Sequence, residues 1–114
     1  MSDQQAEPVL DALGEPVRRR ILELLGDGPR PVGAIAAQLP VGRPAVSKHL
    51  KVLSDAGLVT HASVGTRNLY ALAPAGLVPL QQWLVSLWDR ALSDFARQVA
   101  AQAGGAEAER NADD

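Results

Sequence analysis

The chain has 114 residues, no cysteine and a formal net charge of −2 at pH 7. This length allows one domain with a single core, and the lack of cysteine excludes disulfides and thiolate metal sites. There is no run of about 18 apolar residues and no apolar secretory segment near the polar N-terminus, so we expect a cytoplasmic protein that does not cross a membrane.

Two helices are predicted behind the polar N-terminus. Residues 1–7 are expected to be disordered, and the folded domain is expected to cover residues 8–102. A short helix is predicted over residues 8–13. A second, amphipathic helix over residues 16–25 begins with a proline and ends before Gly26.

The second helix carries three consecutive arginines, Arg18 to Arg20. They either contact phosphate, or they form solvated helix surface and pair with Glu15 or Glu23. The second interpretation is favoured, because a run of charges on a helix is most often solvated surface.

Two short helices joined by a four-residue turn are predicted between residues 32 and 53. Residues 40–43 break the apolar period, with Gly42 as the N-cap and Pro44 in the first turn of the second helix. The pattern is typical of a helix-turn-helix, which makes DNA the leading ligand. The residues at the spacing of one buried stripe are Val32, Ile35, Ala36 and Leu39 in the first helix and Val46, Leu50 and Leu53 in the second.

Positive charge is concentrated around this motif. Residues 40–70 hold four cations and one carboxylate, a net charge of +3, which leaves −5 for the rest of the chain. A basic face on an acidic body favours one orientation on a polyanion, and we prefer this interpretation to a merely solvated surface. The candidate DNA-binding residues are Arg43, Pro44, Ala45, Ser47, Lys48, His49, Lys51 and, beyond the second helix, Arg67.

A β-hairpin is predicted directly after the second helix. Residues 58–64 and 68–72 have the character of strands, and Tyr70 and Leu72 fall on one face of the second strand. A hairpin in this position is a wing. Arg67 lies at its tip, where a cation reaches a phosphate or the minor groove.

A long helix is predicted over residues 79–102, followed by a disordered acidic tail over residues 103–114. The apolar stripe of this helix is too wide to bury against so small a core, so self-association is favoured over folding back onto its own domain. We therefore predict a mainly α fold with a small β-hairpin, a winged helix-turn-helix that dimerises through its terminal helices. The predicted dimer interface consists of Val9, Leu10, Leu13, Leu80, Trp83, Leu84, Leu87, Trp88, Ala91, Leu92 and Phe95.

Three segments, over residues 12–25, 32–39 and 43–59, resemble the ArsR-type winged-helix repressors. The most specific part is Pro44-Ala-Val-Ser-Lys-His-Leu-Lys-Val-Leu53, together with Ala56-Gly-Leu-Val59. The resemblance implies a symmetric dimer formed by the first and last helices, operator binding and transcriptional repression.

The chain departs from the metal-sensing members of that family. Where those members carry cysteines it has Pro31 and Gly33, and its last helix offers Asp89 and Asp94 but no histidine. Two isolated carboxylates make a poor transition-metal site. We expect no metal and no cofactor, and the sequence does not identify a small-molecule effector.

The expected partners are double-stranded operator DNA and a second copy of the chain. This describes a sequence-specific regulator, most simply a repressor that binds an inverted repeat as a homodimer. The alternative is a winged-helix module that binds proteins and not DNA, which the positive motif disfavours. An enzyme is least favoured, because no paired nucleophile and base and no Gly-rich phosphate loop is present.

Overall fold

The computed structural model describes the backbone of residues 2–113 and the side chains of residues 5–104. The chain forms two compact units, residues 1–81 and residues 82–114, and the second consists of the greater part of the last helix. The predicted class, mainly α with a small β-sheet, is confirmed. The elements in chain order are α1 (Ser2–Leu13), α2 (Pro16–Leu25), β1 (Arg30–Pro31), α3 (Val32–Ala36), α4 (Arg43–Asp55), β2 (Val59–Val64), β3 (Arg67–Leu72), a 3-10 turn (Pro74–Leu77) and α5 (Val78–Asp113).

Helix α1 begins at Ser2, earlier than predicted, so residues 2–7 are helical where disorder was expected; Met1 lies outside the described residues. The helix continues through Pro8, which we had taken as its start. The reason is a small-residue face: Ala6, Val9 and Ala12, spaced by three, are at most 1% exposed. Burial of this face offsets the backbone hydrogen bond that a proline inside a helix lacks.

The core of the first unit is built by α1 to α4 and the segment that follows α4. The predicted amphipathic character of α2 is confirmed, with Ile21, Leu24 and Leu25 buried. The predicted stripe of α4 is confirmed as well, and Ile35 of α3 is fully buried. Helix α3 ends at Ala36, before the predicted end, yet Leu39 still packs against the core from the following turn. The buried cluster consists of Val9, Ala12, Ile21, Leu24, Leu25, Ile35, Val46, Leu50, Leu53, Leu58 and Val59.

The predicted hairpin is present as β2 and β3, which pair antiparallel, and Gly65 supplies the left-handed turn residue with φ +65°. Tyr70 and Leu72 pack against the core, as their alternation predicts. Strand β1, which was not predicted, pairs with the edge of β3 that β2 leaves open, through Arg30 and Pro31. A strand of two residues is too short to show an alternating pattern in the sequence, so it is recognised only from its pairing with β3.

Helix α5 covers Val78–Asp113, so its backbone is helical through most of the predicted disordered tail; Asp114 lies outside the described residues. The segment after Val99 is rich in alanine, and alanine has the highest helix propensity of all residues. This propensity outweighs the two glycines at positions 104 and 105.

We expect Gly76→Ala to destabilise the first unit by about 1–3 kcal/mol or more, because it forces a methyl group into backbone atoms. A Cβ at Gly76 would overlap the carbonyl oxygen of Gly57. The measurement is denaturant unfolding followed by circular dichroism. Gly104→Ala is the matched control, since nothing lies within 4 Å of its Cβ position and alanine favours the helix. Equal midpoints for Gly76→Ala and the unmodified chain would contradict this packing.

Candidate nucleic-acid interface

Helix α4 starts in a way that leaves its N-terminus open. Gly42 is the N-cap in an extended conformation, with φ −74° and ψ 164°, and no side chain caps the helix. The first hydrogen bond of the helix runs from the Val46 amide to the Gly42 carbonyl at 3.1 Å. The preceding backbone N–H groups and the positive end of the helix dipole are therefore available to an anion.

The direction of the charged face of α4 follows from its buried face. Val46, Leu50 and Leu53 are at most 1% exposed, and with 3.6 residues per turn they occupy one side of the helix. The opposite side is solvent-exposed, and Ala45 lies half-buried at its edge. Pro44, Lys48 and Lys51 are exposed on this side, Ser47 is exposed on its flank, and Arg43 is exposed at the first residue of the helix, next to α3. These five exposed residues are called here the α4 face.

His49, predicted as a DNA-binding residue, does not belong to the α4 face. Its side chain is 22% exposed and lies against α2, with Nδ1 3.4 Å from Nη1 of Arg18 and Nε2 4.0 Å from Oε2 of Glu15. A residue two positions after Ser47 points about 160° away from it around the helix. The helical period therefore turns His49 towards the neighbouring helix.

The arginines of α2 have structural partners. Arg18 donates from Nε to the Ala12 carbonyl at 2.6 Å and from Nη2 to the Asp11 carbonyl at 3.2 Å. Arg19 donates to the Leu13 carbonyl at 2.6 Å. These two arginines donate to the last three carbonyls of α1, of which that of Asp11 also accepts from the Gly14 amide at 3.2 Å. Neither sequence interpretation included this role. The rule that cations favour helix C-termini was the available signal.

The remaining arginine and the acidic residues beside it behave as expected for surface. Arg20 pairs with Glu23 at 3.2 Å, as one of the predicted pairings has it. Glu15 instead caps α2, because its Oε2 accepts from the amides of Val17 at 3.0 Å and Arg18 at 3.4 Å. Such a cap typically contributes about 1 kcal/mol.

A polar groove of about 250 Å³ lies between α4 and the hairpin. The ring of His61 lies 5.3 Å from that of Tyr70, its register partner across β2 and β3. On the helix side, Nζ of Lys51 is 3.5 Å from the Asp55 carboxylate. The sequence analysis gave His61 and Tyr70 no part here, although strand alternation was the signal for a shared face. The lining residues are Ser47, Lys51, Ser54, Asp55, His61 and Tyr70.

Two further cations flank this region. The guanidinium of Arg43 lies against α3, where a Cβ at Gly33 would be 3.9 Å from it. Arg67 is exposed and faces Val64 across the hairpin turn. Within residues 5–104, neither of these arginines nor Lys48 forms an ion pair with a carboxylate. Their charges are therefore not neutralised by the side chains described.

The predicted dimer residues divide into two groups. Val9 is 1% exposed in the chain's own core, so its prediction as an interface residue is wrong: the core already covers it. Leu13 and Leu80 also pack against that core, and Leu10 and Trp83 are half-buried. The remaining predicted residues of α5 are exposed, with Trp88 at 66% and Phe95 at 63%. They form the exposed α5 stripe: Leu84, Leu87, Trp88, Ala91, Leu92 and Phe95, extended by Val85 and Val99.

The packing of α2, α3 and α4 in one core, the exposed basic surface of α4 after a short turn and the following hairpin define a winged helix-turn-helix protein. A helix-turn-helix domain family matches residues 13–62. The HTH-type transcriptional regulator Rv2034 of Mycobacterium tuberculosis is 49% identical over 88 residues, 77% of this chain and 82% of that protein. The transcriptional repressor SdpR of Bacillus subtilis is 29% identical over 87 residues, 76% of this chain and 97% of that protein.

A solved structure agrees with these relatives. The homodimeric winged helix-turn-helix DNA-binding domain Mb0332 from Mycobacterium bovis, a possible ArsR-family transcriptional regulator, superimposes with a TM-score of 0.62. It is 32% identical, and the match covers 78% of this chain and 82% of that domain. The chain belongs to the ArsR family of winged helix-turn-helix transcriptional regulators. The predicted family and fold are confirmed, and the family is one of DNA-binding regulators, not of enzymes.

Among the residues described, no three His, Cys, Asp or Glu side chains gather into a group suited to a metal ion. No helix within residues 2–113 is long and apolar enough to cross a bilayer.

We expect that no transition metal controls DNA release, because the chain has no thiolate and its two imidazoles, His49 and His61, lie on different elements. Calorimetric titration with zinc, copper(I) and cadmium should give no stoichiometric site, and a chelator should leave DNA affinity unchanged. A tight, saturable site whose filling releases DNA would contradict this expectation.

Proposed function

We propose that this chain is a transcriptional repressor that binds an inverted-repeat operator as a homodimer. The observation that carries the proposal is the α4 face, which presents three exposed cations on a helix whose apolar side is buried in the core. The name of SdpR as a repressor and the homodimeric state of the Mycobacterium bovis domain support it. The place of action that follows is the cytoplasm, where such a regulator meets its DNA.

In this proposal the N-terminal half of α4 lies in the major groove. Arg43 and Lys48 donate to guanine O6 and N7, and Ser47 donates to a base or a phosphate. The side chains of Pro44 and Ala45 contact a thymine methyl group. The open N-terminus of α4 supports this orientation, because it favours the approach of the negatively charged backbone.

The phosphate contacts come from the sides of the same surface. Lys51 lines the groove between α4 and the hairpin, and its partner Asp55 is 69% exposed, so the pair is weak and a phosphate can replace the carboxylate. His61 and Tyr70 add polar atoms to the same groove. Arg67 at the hairpin turn reaches the adjacent backbone or minor groove.

The contact with the second copy is the exposed α5 stripe. Its large side chains are about half exposed or more, and Leu84, Val85 and Trp88 line an almost wholly apolar groove of about 300 Å³. An apolar patch of this kind on a protein surface usually marks an interface. A two-fold dimer then places two α4 helices on two half-sites, so repression works by occlusion of a promoter. Leu10 and Leu13 stay predicted interface residues.

We expect Lys51→Ala and Arg67→Ala to weaken binding to operator and random DNA alike, and to flatten the slope of the logarithm of the association constant against log salt by about 2 per symmetric pair. In the unmodified dimer each chain contributes four cations, Arg43, Lys48, Lys51 and Arg67, so the slope should be no steeper than roughly −7. Lys48→Ala should also erode the preference for the operator by about 1–3 kcal/mol per half-site, because it removes a base contact. The operator is first selected from a random duplex pool, and affinities are measured by fluorescence anisotropy.

Arg20→Ala is the matched control for these variants, since it removes an exposed cation that is paired with Glu23 on α2. It should leave the preference unchanged. A selection that yields no enriched sequence, together with no binding of random DNA at low salt, would instead favour the protein-interaction module. If Lys48→Ala retains both affinity and preference, α4 does not lie in the groove as proposed.

We expect Trp88→Ala to weaken the dimer by at least about 2 kcal/mol, roughly thirtyfold in its Kd. Because Trp88 is 66% exposed within one chain, the substitution should weaken the contact between the two chains and not the fold of each chain. The lost stability should therefore depend on protein concentration. Sedimentation equilibrium measures it. Arg90→Ala, two positions away and on the other side of α5, is the control. A dimer unchanged by Trp88→Ala would place the interface elsewhere.

A further inference from the structure

His49 stands at a junction of three helices. Its Nδ1 lies 3.4 Å from Nη1 of Arg18, and the other two donors of that guanidinium, Nε and Nη2, bond the last carbonyls of α1. Its Nε2 lies 4.0 Å from the carboxylate of Glu15, which caps α2. One imidazole therefore connects α4 with the end of α1 and the start of α2.

The proton arrangement at this junction is fixed by its chemistry. A guanidinium only donates, so Nδ1 of His49 must accept the hydrogen of Arg18. The neutral ring then carries its proton on Nε2, on the side of the Glu15 carboxylate. Both ring nitrogens thus face protein groups, Nδ1 within hydrogen-bond distance of Arg18 and Nε2 4.0 Å from the Glu15 carboxylate.

We propose that His49 is a positioning residue: through Arg18 it sets the orientation of α4 relative to α1 and α2, and so controls operator affinity without touching DNA. The proposal rests on the proposed function. The buried stripe of α4 prevents the helix from leaving the core, but apolar contacts are non-directional and tolerate small rotations and shifts. A directional bond on one flank restricts such shifts, to which base contacts are sensitive.

The first test compares two substitutions of His49. His49→Leu keeps the volume and removes the acceptor, and operator affinity should fall about three- to tenfold, the loss expected for one net hydrogen bond. His49→Asn places an amide oxygen near the position of Nδ1 and should restore most of the affinity. The salt slope should stay that of the unmodified protein in both variants, because no phosphate contact is lost.

The second test is a double-mutant cycle with Arg18→Lys. Lysine keeps the charge, and with it the general attraction to DNA, but lacks the fork that bonds two carbonyls and the imidazole at once. If His49 acts through Arg18, the double variant should bind the operator no more weakly than the weaker single variant. Lys48→Ala serves as the comparison, since a direct base contact should combine additively with Arg18→Lys.

Three results would overturn the proposal. The first is additivity of His49→Leu with Arg18→Lys. The others are a salt slope of His49→Leu flattened by about 1 per chain, which marks a lost phosphate contact, and an operator affinity of His49→Leu equal to that of the unmodified protein. Helix content and unfolding midpoint, measured without DNA, show which variants are folded at the assay temperature. If His49→Leu is unfolded there, the cycle uses His49→Ala, which also lacks the acceptor, and additivity overturns the proposal equally. Failure of the unmodified protein to bind any DNA would instead refute the proposed function itself.

Discussion

The burial of one side of α4 is the constraint on which the rest of this molecule depends. Val46, Leu50 and Leu53 together hold the helix against α2, α3 and the segment after α4, and each contributes about 1.5–3 kcal/mol on burial. This exceeds the few tenths of a kcal/mol at stake in the choice of glycine at the N-cap. The direction of the cationic face is thus a consequence of apolar packing. No electrostatic interaction is needed to aim it.

A second constraint places the hairpin beside the helix. Gly57 ends α4 with φ +80°, and the close approach of Gly76 to its carbonyl fixes the path of the chain beyond β3. The Ala73 amide also donates to the Leu58 carbonyl at 2.9 Å. Tyr70 then reaches both the core and the polar groove, so one residue joins the packing of the sheet to the surface proposed for phosphate.

Periodicity alone predicts the parts of this fold that are built on apolar stripes. Helices α2 and α4 and the alternation of β3 are read directly from residue spacing, because burial imposes the helical and strand periods. The two-residue strand β1, the bonds of Arg18 and Arg19 to α1 and the inward direction of His49 are not. Each depends on a partner distant in sequence or on a side-chain bond, and such bonds leave no period. The prediction of Val9 as an interface residue is wrong for a related reason. An apolar residue type indicates burial, but it does not show whether the chain's own core or a second copy covers the side chain.

Because α4 has two flanks, residues one or two positions apart in its sequence contact different parts of the protein. Ser47 and Lys51 face the hairpin, whereas His49, between them in sequence, faces α2. With 3.6 residues per turn, a short helix in a small core offers one buried side, one exposed side and two flanks. Here each flank carries polar groups, one set in contact with Glu15 and Arg18 and the other lining the open groove. Cations confined to the exposed side and one flank account for a basic face on a chain whose overall charge is −2.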